Sequence, residues 1–309
     1  MRGYRTIDYL TQGYVAFTGL VVLLFHGDRL PHWELHFLVH AAVLVAAHVL
    51  IRVEKSRPGG LLSFLRAFYP MILYTFFYFE THKLDDLIFR QPFDGVFIGL
   101  DRALFGCQPS QVFVRKLPYL AVSEVIYFGY FSYYVMLPGV GLALYFRDRR
   151  RFFNYLTVVS FVFYVCYVTY IFLPVRGPYA RDVMAPADAE MLGERVVPEQ
   201  LERGVFYRIM KSVYSSLEPA TGAAFPSSHV AAAVTALYFS WRYLKRVRWL
   251  HLAAVLLLMV ATVYCGYHYV VDVPAGLLTA VILVPIGELI WRAGAPAGAD
   301  PPLTGGASC

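Results

Sequence analysis

The chain has 309 residues, of which 58% are hydrophobic and only 16% are charged, and its formal net charge is +6. An ordinary soluble domain is about 25% charged, so this composition excludes a soluble domain as well as a disordered chain. Four cysteines in this length exclude a disulfide scaffold. The remaining class is a polytopic helical membrane protein, and the predicted fold class is all-α.

Eight apolar segments approach the ~20 residues that a helix needs to cross a bilayer. They comprise residues 9–25, 34–53, 61–79, 119–146, 152–173, 227–243, 250–264 and 268–291. We therefore predict two N-terminal transmembrane helices in residues 1–60 and a six-helix catalytic membrane domain in residues 61–293. A Pro-, Gly- and Ala-rich tail in residues 294–309 is predicted to be disordered.

The basic residues predict the orientation of these spans. Fifteen of the 27 Lys and Arg residues lie at the termini or in the three short connections after the second, fourth and sixth spans. Basic residues accumulate in cytoplasmic loops, so both termini are predicted to be cytoplasmic. The positive charge is thereby explained by topology, and no nucleic-acid partner is predicted.

Two connections on the opposite, non-cytoplasmic face are long. Residues 80–118 mix apolar and charged positions in a pattern that suits a helix lying in the membrane interface. Residues 174–225 carry much of the charge of the chain and form the natural substrate-facing loop.

Three segments bring polar residues to this face. Arg176 follows the fifth span, Pro226-Ser227-Ser228-His229 opens the sixth, and His268 with Asp272 opens the eighth. The N-terminus of a helix offers unpaired N–H groups and a positive dipole end to a phosphate. The two serines, Ser227 and Ser228, are predicted as helix caps and phosphate contacts.

These residue types suit the separate parts of a phosphoryl transfer. His268 and Asp272 are four positions apart and would share one face of a helix, so the carboxylate can fix the tautomer of a nucleophilic imidazole. His229 is the predicted general acid for the departing alkoxide, and Arg176 is the predicted clamp for phosphate oxygens. This chemistry requires no metal and no cofactor.

Three further residues are candidate substrate contacts: Glu124, Tyr179 and Tyr267. Glu124 falls within a predicted span, where a carboxylate is costly and therefore functional by default. Structural alternatives stay open for all of these residues. A histidine at a helix end can serve an interfacial hydrogen bond, Arg176 can anchor a lipid phosphate, and tyrosines can form an aromatic belt.

The Pro226-Ser227-Ser228-His229 sequence, followed after one helix by His268-x-x-x-Asp272, resembles the type 2 phosphatidic acid phosphatase superfamily. The signatures of that superfamily read KxxxxxxRP, PSGH and SRxxxxxHxxxD. The resemblance covers about the last two-thirds of the chain. It implies a six-helix core with His268 as the nucleophile, Asp272 as its orienting partner and His229 as the leaving-group acid.

The chain departs from these signatures at their cations. Arg176 is followed by Gly177-Pro178, Thr169 replaces the Lys of the first signature, and Ala261-Thr262 replace the Ser-Arg of the third. Compared with the superfamily, the chain would therefore lack two of the usual cationic phosphate contacts. Residues 268–273 (HYVVDV) and 100–106 (LDRALFG) are instead similar to the sphingolipid-synthase branch, which contains the inositol phosphorylceramide and sphingomyelin synthases.

The predicted function is a membrane lipid phosphotransferase that moves a phospho-head-group from a glycerophospholipid to a lipid alcohol through a phosphohistidine. One alternative is a simple phosphatase of phosphatidate, phosphatidylglycerophosphate or an isoprenoid diphosphate. Another is a lipid transporter or scaffold without catalysis. The expected partners are membrane phospholipids and lipid alcohols, and an oligomer and a disulfide between Cys107 and Cys265 are left open.

Overall fold

The computed structural model describes residues 3–89, 91–215 and 222–294, so the predicted disordered tail lies outside the described residues beyond its first residue. The described chain is helical and holds a single parallel bridge, between Val175 and Ala223, instead of a sheet. The all-α prediction is confirmed. The helices are α1 (Thr6–Phe25), α2 (Trp33–Ser56), α3 (Gly60–Ile88), α4 (Asp94–Phe105), α5 (Pro109–Lys116), α6 (Leu120–Arg147), α7 (Arg149–Phe172), α8 (Pro186–Leu192), α9 (Val205–Ser215), α10 (Ser228–Tyr243), α11 (Arg248–Tyr264) and α12 (Asp272–Gly294).

Six of these helices are long and apolar enough to cross a membrane, namely α1, α2, α3, α6, α7 and α12. They correspond to the first five predicted spans and to the eighth. The helix α11 is apolar but has 17 residues, and α10 has 16. The multi-pass bundle is thus supported, and the number of eight spans stays a prediction.

The boundaries differ from the prediction at two helices. The helix α3 continues to Ile88, nine residues beyond its predicted end at position 79. The helix α12 begins at Asp272, so His268 lies in the turn before it and the predicted sharing of a helix face is wrong. The turn forms because the N–H groups of Tyr267 and His268 both donate to the Thr262 carbonyl, which closes α11.

The helix α7 forms the centre of the bundle. It packs against α3, α12, α10, α6 and α1, and its buried residues extend around its whole circumference. The helix α10 is also enclosed, because alanines at 231, 232, 233 and 236 let neighbouring backbones approach closely. The C-terminal end of α7 and the N-terminal end of α10 both lie at the predicted active site.

The bundle has two distinct ends. At the basic end, Gly294 of α12 packs against Thr6 of α1, and Asp8 of α1 pairs with Arg66 near the start of α3. The opposite end, where α10 and α12 begin, holds the predicted residues His229, His268 and Asp272 and is called the catalytic end below. The 23 residues of α12 separate these ends by about 34 Å. The basic termini and the predicted site therefore lie at opposite ends of the molecule.

An additional helix, α4, covers the catalytic end. Its exposed face is apolar and includes Val96, Leu100 and Leu104, whereas Asp94 and Asp101 on its other face are fully buried. This arrangement suits the predicted interfacial helix in residues 80–118, since an apolar outer face favours lipid. The buried carboxylates must be satisfied within the protein, and they are satisfied by the loops of the site.

Candidate active site

Backbone hydrogen bonds join the three predicted segments. The N–H of Ala224 donates to the Val175 carbonyl at 2.8 Å, and the N–H of Ser227 donates to the Asp272 carbonyl at 3.2 Å. Gly177 adopts a φ of +86°, and a Cβ there would stand 2.8 Å from the Tyr267 carbonyl oxygen. The segment that carries Arg176 can therefore approach the His268 loop only because a glycine occupies this position.

His268 is held through its Nδ1 atom. This nitrogen lies 2.9 Å from the carbonyl oxygen of Ala224 and 3.2 Å from Oδ2 of Asp272. The same Oδ2 accepts the N–H of Tyr269 at 2.8 Å. His268 is 3% exposed and Asp272 is fully buried. Because both neighbours of Nδ1 are acceptors, its proton is fixed there and Nε2 is left with a free electron pair.

The Nε2 atom of His268 faces the second histidine. It lies 3.4 Å from Nδ1 of His229 and 3.3 Å from Oγ of Ser227. On the other side of His229, Nε2 lies 3.1 Å from the hydroxyl of Tyr130, which also contacts the hydroxyl of Tyr214. All of these contacts are satisfied when both imidazoles carry their proton on Nδ1. In that state the proton of His229 points at Nε2 of His268.

Ser227 and Ser228 occupy the start of α10 but differ in their contacts. Ser227 is the N-cap, and its Oγ accepts the N–H of Val230 at 3.4 Å while facing His268. The backbone N–H of Ser228 donates to the hydroxyl of Tyr170 at 3.1 Å. Ser227 is therefore the serine that contacts His268, whereas the N–H of Ser228 is engaged within the protein.

Arg176 lies in the segment tied to α4. Its guanidinium donates to the carbonyl of Val183, and its backbone N–H donates to Oδ2 of Asp94 at 2.9 Å. The predicted phosphate clamp therefore has a protein carbonyl as a partner in this structure. Its role toward phosphate stays a prediction.

Two carboxylates of α4 hold the loops of the site. Asp94 accepts the N–H of Gly177 at 2.9 Å and the hydroxyl of Tyr269 at 2.8 Å, in addition to its bond from the Arg176 segment. Asp101 accepts the N–H groups of Val270 at 2.9 Å and Val271 at 3.2 Å. Burial raises the pKa of both carboxyls, and the donated hydrogen bonds oppose that rise. The turn between His268 and Asp272 is thus fixed from α4.

Glu124 caps another helix. Its Oε2 accepts the N–H groups of Val205 at 2.7 Å and Phe206 at 3.0 Å, and its Oε1 accepts that of Tyr207 at 3.1 Å. A carboxylate at a helix start satisfies unpaired donors and complements the dipole. The structure thereby gives Glu124 the role of fixing α9 to α6, and its predicted contact with substrate remains a prediction.

The predicted tyrosines Tyr179 and Tyr267 belong to an aromatic wall beside His229. The ring of Tyr214 stacks on that of Tyr267 with centroids 3.6 Å apart, and Tyr179 packs against both at 5.1 and 5.5 Å. Tyr130 joins this wall to His229, with its ring 4.8 Å from that of Tyr267. Tyr179 and Tyr267 also line a cavity of about 360 Å³.

Several residues of this site have little signal in the sequence. The Ala224 carbonyl is a backbone group, so no side-chain pattern indicates it. Asp101 falls within the LDRALFG segment, whose aspartate could have been identified as a site residue. Asp94 and Tyr130 lie within apolar stretches in which only the folded contacts reveal their partners. Cys107 and Cys265 are both free thiols, so the structure contains no disulfide between them.

The fold and the site define a multi-pass helical membrane protein with two facing histidines, one of them oriented by a carboxylate, which is a constellation suited to phosphoryl transfer. Comparison with known families finds that the profile of the PAP2 superfamily matches residues 97–286. The chain belongs to this superfamily, which supports an enzyme of the lipid phosphatase or phosphotransferase type. Neither the curated proteins nor the solved structures that were compared give a match.

Proposed function

We propose that this protein is a lipid phosphotransferase that moves a phospho-head-group from a glycerophospholipid to a lipid alcohol through a phosphohistidine at His268. The observation that carries this proposal is the contact pattern of the His268 ring. Its Nδ1 lies against two acceptors, and its Nε2 lies 3.4 Å from the imidazole of His229. An imidazole held in this way presents a lone pair to phosphorus beside a proton donor.

The first half of the reaction forms the covalent intermediate. Nε2 of His268 attacks the phosphorus, the N–P bond forms, and the bond from phosphorus to the diacylglycerol oxygen breaks. The anionic phosphodiester favours the imidazolium form of His229, and the Nδ1 proton of this doubly protonated ring passes to that oxygen. Diacylglycerol then leaves as a neutral alcohol, and His229 becomes a neutral imidazole. The positive charge that develops on the His268 ring is stabilised by Asp272 through Nδ1.

The second half returns the enzyme to its starting state. His229 now accepts the proton of a lipid hydroxyl, whose oxygen attacks the phosphorus, and the N–P bond breaks. Ser227 and the start of α10 are suited to contact the phosphoryl oxygens, with Ser228 and Arg176 as further candidates. The similarity of residues 268–273 and 100–106 to sphingolipid synthases supports a lipid alcohol as the acceptor.

We also propose that the catalytic end faces the non-cytoplasmic side. The support is the position of the basic termini and connections near the opposite end, where Arg66 of α3 lies beside α1. Lipid substrates would then reach the two histidines from the outer leaflet, and the interfacial helix α4 would lie at the level of the head groups.

The decisive experiment follows the phosphorus. Purified protein in micelles receives a glycerophospholipid labelled at its phosphate together with ceramide or diacylglycerol, and the expected result is a new labelled phospholipid. His268→Ala is expected to abolish turnover, whereas His26→Ala, at a histidine stacked on Trp33 between α1 and α2, is expected to leave it unchanged. The labelled enzyme should carry an acid-labile phosphoramidate.

Other outcomes would assign other functions. Release of only a water-soluble labelled product, free phosphate from phosphatidate or a phosphorylated head group from other donors, would favour a simple phosphatase. Such an enzyme shares the first half-reaction and uses water as the acceptor in the second. Turnover that survives His268→Ala would eliminate the phosphohistidine. Lipid binding or transport without any turnover would favour the transporter or scaffold.

A further inference from the structure

A cavity adjoins the candidate active site and is not used by the proposed chemistry. Its volume is about 360 Å³, and it is enclosed by the catalytic ends of α6 and α11, by α9 and by the segment after α7. Tyr267, the neighbour of His268 in the chain, forms one wall. The ring of Tyr130 packs 4.8 Å from that of Tyr267 and 5.2 Å from that of His229, so a single aromatic layer separates the cavity from the two histidines.

The principal charged group of this cavity is Arg195. Its two terminal guanidinium nitrogens donate to the carbonyls of Ser110 at 2.6 Å and Tyr264 at 2.8 Å, and it contacts the Tyr127 hydroxyl. A guanidinium has five N–H donors, so at least two remain for a ligand. Within residues 3–89, 91–215 and 222–294, no carboxylate forms an ion pair with it.

Arg195 is thus fixed in place by neutral groups, and among the described residues it forms no ion pair. Its side chain also packs against the backbone at Gly266, where a Cβ would stand 3.0 Å from its Nε and 3.1 Å from its Cδ. A half-buried guanidinium of this kind is a preorganised partner for a phosphate or a carboxylate. Anchoring by carbonyls lowers the cost of ordering the side chain when the anion binds.

The cavity is also lined by two cations, Arg181 and Lys211, and by two exposed carboxylates, Asp182 and Glu194. Arg181 and Asp182 form a long pair at 3.7 Å, in which the carboxylate is 96% exposed. Lys211, which is 61% exposed, lies 3.6 Å from Glu202. Such exposed pairs contribute little, so these side chains are available to a ligand at small cost.

A quaternary ammonium group fits this cavity less well than an anion. Four tyrosines, Tyr127, Tyr179, Tyr207 and Tyr267, line it, and aromatic faces attract cations. The fixed guanidinium among them would repel a second cation at short range. The tyrosine hydroxyls can instead donate to an anion that Arg195 holds.

We infer that this cavity is a head-group subsite that binds an additional phosphate or carboxylate of the donor lipid, with Arg195 as the anchoring cation. The inference rests on the proposed function, because it places the reacting phosphorus at His268. It narrows the donors to glycerophospholipids whose head group carries its own anionic group. Lys211 adds a weaker attraction at the entrance.

The test compares three donors at equal mole fraction in neutral micelles: phosphatidylserine, phosphatidylinositol 4-phosphate and phosphatidylcholine. Wild type is expected to prefer the first two. Arg195→Gln should lower kcat/KM for them by about tenfold or more, the loss expected for a charge-assisted hydrogen bond, with less than about threefold for phosphatidylcholine. Lys211→Gln should have the same sign and a smaller size.

Arg203→Gln is the matched control, because Arg203 is a 77% exposed arginine of the same loop region that pairs with Glu199 outside the cavity. Equal losses on all three donors, or a wild-type preference for phosphatidylcholine, would overturn the subsite. Arg195→Lys and Lys211→Glu keep the test decisive if Arg195→Gln fails to fold. The lysine variant keeps the charge, and the glutamate variant should oppose anionic donors.

Direct binding to the His268→Ala variant separates this inference from the proposed function. Preferential binding of the two anionic lipids, lost on adding Arg195→Gln, would support the subsite even if no turnover were found with any lipid. Turnover with equal binding of all lipids would support the reaction and overturn the subsite. Competition by inorganic phosphate alone, without discrimination among lipids, would assign the cavity to free phosphate and also overturn it.

Discussion

The two histidines of the site are held by different kinds of groups. His268 is buried between a backbone carbonyl and the Asp272 carboxylate, and the turn around it is fixed by Asp94 and Asp101. His229 is partly exposed, and its Nε2 contacts the hydroxyl of Tyr130 at the edge of the aromatic wall. One side of the site is a network of acceptors, and the other side is made of hydroxyls.

This difference fits the proposed tasks of the two rings. A nucleophile must keep one tautomer and one orientation while a bond to phosphorus forms, and fixed acceptors at Nδ1 enforce both. An acid that later acts as a base must lose and regain a proton, and a hydroxyl can either donate to it or accept from it. Substitutions on the His268 side and on the His229 side should therefore differ in how strongly their rate losses depend on the leaving group.

After His268→Ala, the largest effect is expected from His229→Gln. Loss of the proton donor should lower the rate of lipid cleavage by about 10²–10⁴-fold, the usual contribution of general acid catalysis. A donor with a p-nitrophenolate leaving group needs no protonation, so its rate of first cleavage should fall far less. Single-turnover release of the leaving group measures both.

His251→Gln is the matched control, since His251 is a buried histidine of α11 that bonds to Ser240. It should leave both donors unaffected. An equal loss on the two donors in His229→Gln would show that His229 positions the substrate and does not protonate the leaving group.

A smaller effect is expected from Asp272→Asn. The loss of the negative charge weakens the support for the charged imidazole ring, by about 1.5–3 kcal/mol for a charge-assisted bond, or roughly 10–150-fold. The Ala224 carbonyl, which is closer to Nδ1 than the carboxylate is, should preserve the tautomer. The effect should therefore appear with both leaving groups.

The measurement is the rate at which the phosphohistidine accumulates, and Asp28→Asn, at an exposed carboxylate between α1 and α2, is the control. A loss as complete as that in His268→Ala would show that the carbonyl cannot hold the ring alone. No loss at all would transfer the orienting role from Asp272 to Ala224.

The sequence predicted the candidate catalytic residues of this site better than the groups that hold those residues in place. Charge patterning separated the basic end from the catalytic end, and motif spacing identified His229, His268 and Asp272 as neighbours, which the contacts confirm. The spacing of four implied a shared helix face, but the contact forms across a turn, because Asp272 itself begins α12. Hydrogen-bond geometry across a turn leaves no periodic signal.

The supporting groups were harder to predict for a related reason. Glu124 was predicted as a substrate contact because a carboxylate is costly within a span, and its partners in the structure are backbone N–H groups of α9, about 80 residues away in the chain. Asp94 likewise binds backbone groups of a distant loop. Every residue offers such groups, so no residue type marks the partner of a buried carboxylate.

The smallest effect is expected from Tyr130→Phe, which tests the hydroxyl side of the comparison. The hydroxyl of Tyr130 orients His229 through a 3.1 Å contact, and a neutral hydrogen bond contributes about 1 kcal/mol, or roughly fivefold in rate. Because Tyr130 acts through His229, the loss of cleavage rate should depend on the leaving group. It should be about fivefold for an alkoxide and nearly absent for p-nitrophenolate. Tyr133→Phe is the control, since its ring packs 4.6 Å from that of His229. If the hydroxyl served only packing, Tyr130→Phe would lower the rates with both donors equally. The Tyr130 side chain would then shape the site without assisting proton transfer by His229.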